Sequence, residues 1–121
     1  MIHNDDITIV HELSAMLQAL ADPIRLKIVR ILLSRTKETL SVTDVSKILG
    51  ISQPAASQHI KTLKSIGMLN ATREGNRMIY TVNAAAVFRF KEVWDDLYAK
   101  AFKVCPYDMN CAECPEKRTC A

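Results

Sequence analysis

A chain of 121 residues, 49% of them hydrophobic, suits one compact domain with a small core and is far from a disordered composition. Its net charge of +3 permits an anionic partner without demanding one, so where the charge sits matters more than its sum. The longest apolar-rich stretch, Ile24 to Leu33, is broken by Arg25, Lys27 and Arg30, which excludes a membrane span of about 20 apolar residues. The polar, acidic start from Met1 to Asp6 is unlike a signal peptide, so a cytoplasmic location is expected.

The first predicted helix covers about Ile7 to Leu20, with Val10, Leu13, Leu17 and Leu20 spaced to share one face. Asp22-Pro23 breaks it, and Pro23 opens a second helix to about Ser34, because the first turn does not use the N–H that proline lacks. There Ile24, Ile28, Ile31 and Leu32 are expected to face inward and Arg25, Lys27 and Arg30 outward. Thr36 to Leu40 reads as a polar connection. Ser41 is a good N-cap for a third helix ending at Leu49, with Asp44 near the positive end of its dipole, and Gly50 stops that helix. Ser52 caps a fourth helix, Pro54 sits in its first turn, and Ala55, Ala56, Ile60 and Leu63 supply its buried side as far as about Ile66. The period then changes. Met68 to Thr72 and Met78 to Asn83 are β-prone runs on either side of Arg73-Glu74-Gly75-Asn76-Arg77, where Gly75-Asn76 can make a tight hairpin turn. A fifth helix is predicted from about Ala84 to Phe102, with a wide stripe of Val87, Phe90, Val93, Trp94, Leu97, Tyr98 and Ala101. From Cys105 onward the prolines and Asn110 suggest irregular loop.

The third and fourth helices, joined by Gly50-Ile51, read as a helix-turn-helix, which lays its second helix across the first so that the N-terminal half can enter a major groove. Such a helix needs short, polar, hydrogen-bonding side chains outside, and Gln53, Ser57, Gln58, His59 and Lys61 meet that need. Between Ser52 and Tyr80, Lys61, Lys64, Arg73 and Arg77 face one acid, Glu74, so this segment holds the basic excess of the whole chain. Arg73 and Arg77 beside Gly75-Asn76 are placed to contact backbone or minor groove. The reading is thus a mainly α fold with a β-hairpin: a winged helix-turn-helix of about five helices plus a two-stranded wing. No Gly-rich phosphate loop, no Ser/His/Asp order and no paired carboxylates speak for an enzyme.

Three ordered motifs carry a family resemblance. Leu20-Ala21-Asp22-Pro23-Ile24-Arg25-Leu26-Lys27-Ile28-Val29 resembles the opening signature of the ArsR/SmtB winged-helix repressors. So does the run from Ser52 to Lys64 followed by Gly67-Met68-Leu69, and the stretch from Arg73 to Tyr80 is similar to the family's wing. The resemblance implies a homodimer that binds partly palindromic double-stranded operator DNA and lets go when an inducer binds. It places DNA reading on Gln53, Ser57, Gln58 and His59, and wing contacts on Arg73 and Arg77. The residues support a dimer as well: the first and last helices offer more apolar surface than one small domain covers, and Trp94, Tyr98 and Phe102 are of the type enriched at interfaces.

The chain departs from the family at the places where members commonly sense metals. The positions of a Cys-x-Cys at the start of the third helix hold Ser41 and Thr43, poor ligands for soft metals, and the last helix has Glu92, Asp95 and Asp96 but no His. His3 and His11 read as exposed or dimer-packed. All four cysteines lie in the tail as Cys105-x5-Cys111-x2-Cys114-x5-Cys120. In a reducing cytoplasm that cluster suggests metal or redox chemistry. Zinc or an iron–sulfur cluster could take four thiolates, arsenite or another soft ion three, and a thiol–disulfide switch two; inert thiols in a loose tail are the remaining reading. The expected division is residues 1–104 as the DNA-binding and dimerisation domain and 105–121 as the cysteine-rich tail. The alternative is a regulator with a different effector or none, whose tail holds a structural zinc.

Overall fold

A computed structural model of the protein describes residues 3–101 and 110–115, with side chains described for 10–99 and 110–115. Among these residues the chain forms α1 (His3–Leu20), α2 (Pro23–Ser34), α3 (Val42–Leu49), α4 (Gln53–Ser65), β1 (Leu69–Glu74), β2 (Arg77–Val82) and α5 (Ala84–Ala101). The order is the expected one: five helices with an antiparallel hairpin after the fourth. The predicted end of α5 at Phe102, together with Cys105 and Cys120, lies outside the described residues.

The helix ends follow from local chemistry. Asp22, in extended backbone, caps α2 by accepting from the amides of Ile24 at 2.8 Å and Arg25 at 3.2 Å. Ser41 and Asp44 form a reciprocal capping box on α3: the Asp44 amide donates to Ser41 Oγ, and the Ser41 amide donates to Asp44 Oδ2 at 2.9 Å. Gly50 closes α3 in the left-handed region at φ +69°. A Cβ there would meet nothing within 4 Å, so the torsion, and not a lack of space, favours glycine.

The hairpin is tighter than the sequence suggested. The ladder runs from Leu69↔Val82 to Glu74↔Arg77, so Arg73, Glu74 and Arg77 belong to the strands and only Gly75-Asn76 turns. Asn83 joins the wing to α5. Its amide donates to the Met68 carbonyl, its side-chain amide to the Gly67 carbonyl, and its Oδ1 accepts from the Ala85 amide in the first turn of α5.

By contacts the chain divides into two compact units. Leu17–Val87 is the larger, and its core is Ile28, Leu32, Leu40, Val45, Ala56, Ile60, Leu63, Met68 and Leu69. Ile24, Ile31 and Ile51 pack against that core half-buried, and Ala55, expected on the buried side of α4, is half-buried. Leu40 corrects the reading of Thr36 to Leu40 as polar throughout. It is buried at 4% exposure, and its carbonyl accepts from the Tyr80 amide at 3.0 Å, which fastens β2 to the entrance of α3. In the other unit, α1 up to Met16 and α5 from Phe88 are described, with residues 110–115. Here Leu13, Met16 and Val93 are buried, and Arg89 makes a bidentate ion pair with Glu12 at 2.9 Å on both arms. That guanidinium holds the Glu12 carboxyl below its ordinary pKa, against a smaller opposing effect of burial. The apolar stripe of α1 is shifted from the expected one: Met16 and Ala19 are buried, whereas Val10 and Leu17 are exposed.

Leu63 is fully buried at the centre of the larger core. Leu63→Ala is expected to lower the unfolding free energy by about 3 kcal/mol, measured by urea denaturation. A loss below about 1 kcal/mol would mean that α4 is not packed as described.

Candidate nucleic-acid interface

The geometry of α3 and α4 decides which side chains face outward. α4 buries Ala56, Ile60 and Leu63, a stripe at spacings of four and three, and the opposite side carries the polar residues. Gln53, Ser57, Gln58, Lys61 and Lys64 are exposed, and His59 is half-buried. Ser52 caps the helix by accepting from the Ala55 amide at 3.2 Å on its hydroxyl and from the Ala56 amide at 3.0 Å on its carbonyl. Cationic side chains, hydroxyls and amides therefore share one side of one helix, the donor and acceptor set that base edges and phosphates require.

Some predicted residues are already engaged inside the protein. Gln53 donates through Nε2 to Thr43 Oγ1, bridging the N-terminus of α4 to α3. Its amide group is thereby oriented by the neighbouring helix. His59 receives an Arg25 guanidinium nitrogen 3.3 Å from its Nδ1. Lys61 and Lys64 stand exposed on the flank of α4.

The wing divides its two arginines between different tasks. Arg73 on β1 is exposed. Arg77 on β2 is also exposed, but its guanidinium forms an ion pair with Asp44 Oδ2 and donates to the Thr39 carbonyl at 3.3 Å. Asp44 thus serves three groups at once: the Ser41 amide, the Ser41 hydroxyl at 3.0 Å, and Arg77. These hold the Asp44 carboxyl below its ordinary pKa, the Ser41 amide being the largest cause and Arg77 adding to it, while burial opposes. The sequence offered Asp44 only as a dipole partner. Its bond to the wing was legible in neither spacing nor composition, because the partners lie 33 positions apart.

The candidate metal residues divide at the edge of the described region. Cys111 is exposed and Cys114 half-buried, in a tight turn where the Cys114 amide donates to the Cys111 carbonyl at 3.3 Å and the Glu113 amide to the Asn110 carbonyl at 3.2 Å. The Asn110 side chain closes this turn on Glu113 Oε2 at 3.1 Å. Cys105 and Cys120 lie outside the described residues. Ser41 and Thr43 are occupied with capping and with Gln53 respectively.

Asp44→Asn is expected to cost about 1 kcal/mol at neutral pH, the usual worth of a capping interaction, with the part-exposed ion pair adding little. Because the folded-state pKa is depressed, that contribution is full above the ordinary carboxylate value and disappears as the pH falls through the lower folded value. Urea midpoints of the parent and the variant should converge on acidification below about pH 4. Midpoints that stayed equally far apart there would refute the assignment.

The family profile described as "Bacterial regulatory protein, arsR family" matches residues 22–71, from the cap of α2 into β1. The transcriptional activator HlyU of Vibrio cholerae is 35% identical over 86 residues, 71% of this chain and 77% of that protein. Its solved structure overlays with a TM-score of 0.58 at 32% identity, covering 74% of this chain and 95% of that one. The HTH-type transcriptional repressor SmtB of Mycobacterium tuberculosis is 35% identical over 65 residues, 54% of this chain and 46% of that protein. The homodimeric winged helix-turn-helix domain Mb0332 of Mycobacterium bovis shares the fold, with a TM-score of 0.60 at 24% identity over 79% of this chain and 86% of that one. With α3, Gly50, α4 and the wing arranged as described, the chain is a winged helix-turn-helix protein and belongs to the ArsR family of bacterial transcriptional regulators.

Proposed function

We propose that this regulator is a homodimeric repressor that reads operator DNA with the exposed side of α4 and responds to a metal, metalloid or redox signal through its cysteine tail. The observation that carries the DNA-reading part is the outward side of α4. Gln53, Ser57, Gln58, Lys61 and Lys64 are exposed beside a buried stripe, with His59 half-buried at its edge, and Arg73 extends the basic surface along the wing. In this reading Gln58 and Ser57 address base edges and Lys61 and Lys64 address phosphates. Arg73 is the wing cation for the DNA backbone, and Arg77, held by Asp44, positions the wing. Repression is the sense of regulation that SmtB's name carries, whereas HlyU is named an activator. Blocking a promoter requires nothing beyond occupancy of the site.

Dimerisation through α1 and α5 is supported by the apolar side chains these helices leave exposed. Phe88 is 67% exposed, Tyr98 59%, Val10 45% and Trp94 43%. Large aromatics in such numbers suit an interface core, and Mb0332 is described as homodimeric. A two-fold protein places two copies of α4 on half-sites one helical turn apart.

For sensing, the turn at Cys111 and Cys114 is the supporting feature. Cys-x2-Cys across a tight turn suits two ligands of one ion, and its thiols fit soft metals by their chemistry. With Cys105 and Cys120 the set makes four thiolates, enough for zinc or an iron–sulfur cluster; a soft metalloid would need three. In this division residues 1–104 bind DNA and dimerise, and residues 105–121 sense. A structural zinc in the tail is the second reading, favoured by the hydrogen-bonded order of the turn itself.

Duplexes selected from a random pool by the purified protein provide the test. Gln58→Ala is expected to cost about 1–3 kcal/mol on the selected sequence and little on a scrambled one. Lys61→Ala is expected to weaken both alike and to lower the slope of log affinity against log salt by about one. If neither change alters binding, the assignment to α4 fails. Metal content and colour of anaerobically purified protein, followed by binding assays with all four cysteines changed to Ser, separate the tail readings. A sensor loses its response to metals or oxidants, and a structural zinc knob leaves operator affinity insensitive to added metal.

A further inference from the structure

The contact between Arg25 and His59 joins parts of the chain that the sequence treats as separate. Arg25 was expected to face solvent from α2. Instead it is half-buried, and its guanidinium reaches across two elements. Nε donates to the Ala19 carbonyl and one terminal nitrogen lies 3.4 Å from the Gln18 carbonyl, both at the C-terminal end of α1. The other terminal nitrogen lies 3.3 Å from Nδ1 of His59 on α4. The α1 carbonyls are acceptors that the helix itself leaves unpaired in its last turn. Asp22 Oδ1 accepts from the Ile24 and Arg25 amides, and the carboxylate also lies within electrostatic reach of the Arg25 and His59 side chains.

A guanidinium carries only donors. A ring nitrogen that meets it can therefore bond only as an acceptor, with its lone pair toward the arginine. In a neutral imidazole that leaves the proton on the other nitrogen, Nε2. His59 lies between Gln58 and Lys61 in sequence and one turn from Ala55, on the helix that carries the DNA-reading side chains.

We propose that Arg25 is a positioning residue for DNA reading: it fixes the tautomer and the orientation of His59, so that His59 offers an Nε2–H donor to an acceptor on the duplex, a phosphate oxygen or a purine N7. The proposal rests on the reading of α4 as the DNA-contacting helix and adds a residue outside that helix to the machinery. Arg25 itself touches no DNA in this scheme. Its three bonds tie the end of α1 and the start of α2 to the middle of α4, so a shift of either corner changes how His59 is presented.

The test is a double-mutant cycle on the full-length protein, with a selected duplex of about 30 base pairs as probe. Arg25→Met keeps the aliphatic stem and removes every donor. His59→Gln keeps an amide nitrogen near the place of Nε2, and this amide needs no partner to set its tautomer. Arg25→Met is expected to weaken binding about tenfold when His59 is present and less than about twofold in the His59→Gln background. Equal losses in both backgrounds would overturn the proposal, because a purely structural arginine acts on either side chain alike. Nitrogen-15 NMR of the His59 ring gives an independent readout. It should report a protonated Nε2 and an acceptor Nδ1 in the parent, and a mixture of tautomers in Arg25→Met; an unchanged ring signature would also overturn it. Arg25→Lys, which retains the charge but gathers its donors on one ammonium in place of the spread guanidinium fork, runs through the same cycle if the methionine variant does not fold, and its loss is likewise expected only with His59. If the parent protein selects no duplex at all, the DNA-binding reading has failed. If duplex binding is intact and the cycle shows no coupling, this inference alone has failed.

Discussion

The polar outer side of α4 exists because the helix can bury only one narrow stripe. Ala56, Ile60 and Leu63 sit at exposures of 0 to 2% against the core made by α2, α3 and β1, and the helical period then forces the residues between them outward. Two capped helices and one left-handed glycine set the direction of that outward side. Had α3 continued past Gly50, or had α4 begun without the Ser52 cap, the same polar residues would stand on a helix pointing elsewhere. The apolar contacts thus fix the side, and the short turn fixes the angle.

A second constraint is polar. A hairpin of two six-residue strands cannot hold its own position in water. It is fastened here at both ends. Near the turn, Arg77 reaches Asp44 and the Thr39 carbonyl; at the base, Tyr80 donates to Leu40 and Asn83 bonds to Met68 and Gly67. Asp44 stands at the meeting of these effects, because the carboxylate that completes the cap of α3 also receives the wing. The helix that supports recognition and the hairpin that flanks it therefore share one charged group, and loss of that charge loosens both.

Most of the fold was legible because its signals are local. Pro23 behind Asp22, Ser41 three residues before Asp44, Gly50, Ser52, Gly75-Asn76 and the apolar stripes of α2 and α4 each act within one or two turns of chain. What was misread depends on contacts distant in sequence. Leu40 looks like the end of a polar linker, yet it fills the core beneath α3 and β2. Arg25 sits among basic residues on an apparently exposed side, yet meets the end of α1 and His59. Arg77 looks like a free wing cation, yet is spent on Asp44. On α1 the expected stripe holds at Leu13, which is buried, and at Leu20, which packs against the core, but fails at Val10 and Leu17, because Leu and Met residues occur on more than one side of the helix and periodicity alone could not select Met16 and Ala19. The side chains of α4 were legible as a set, but the division between those that point freely outward and those held by a neighbour was not.

Asn83 has a bearing on how any signal reaches α4. Its side chain bonds the carbonyl just after α4 and the amide that opens α5, so the two helix ends are joined through one residue as well as through the wing. The tail follows α5 in the chain. A ligand held by the tail can alter DNA affinity only if it binds one arrangement of the regulator better than another. Under the proposed reading, a change in how α5 starts would act on Asn83 and hence on the last turn of α4, while Arg25 holds the middle of the same helix to α1 and α2. Three side chains that are not its own thus hold α4 and its exit: Thr43 at its start, Arg25 at its middle and Asn83 at Gly67 just beyond its end. Each of the three grips is a hydrogen bond near the surface and not a packed apolar contact. Such bonds contribute about 1 kcal/mol each, small enough for a modest binding preference to break one and too directional to reform in a shifted geometry. Under the proposed reading, a helix held in this way is rigid enough to read a duplex and still open to displacement by a bound ligand.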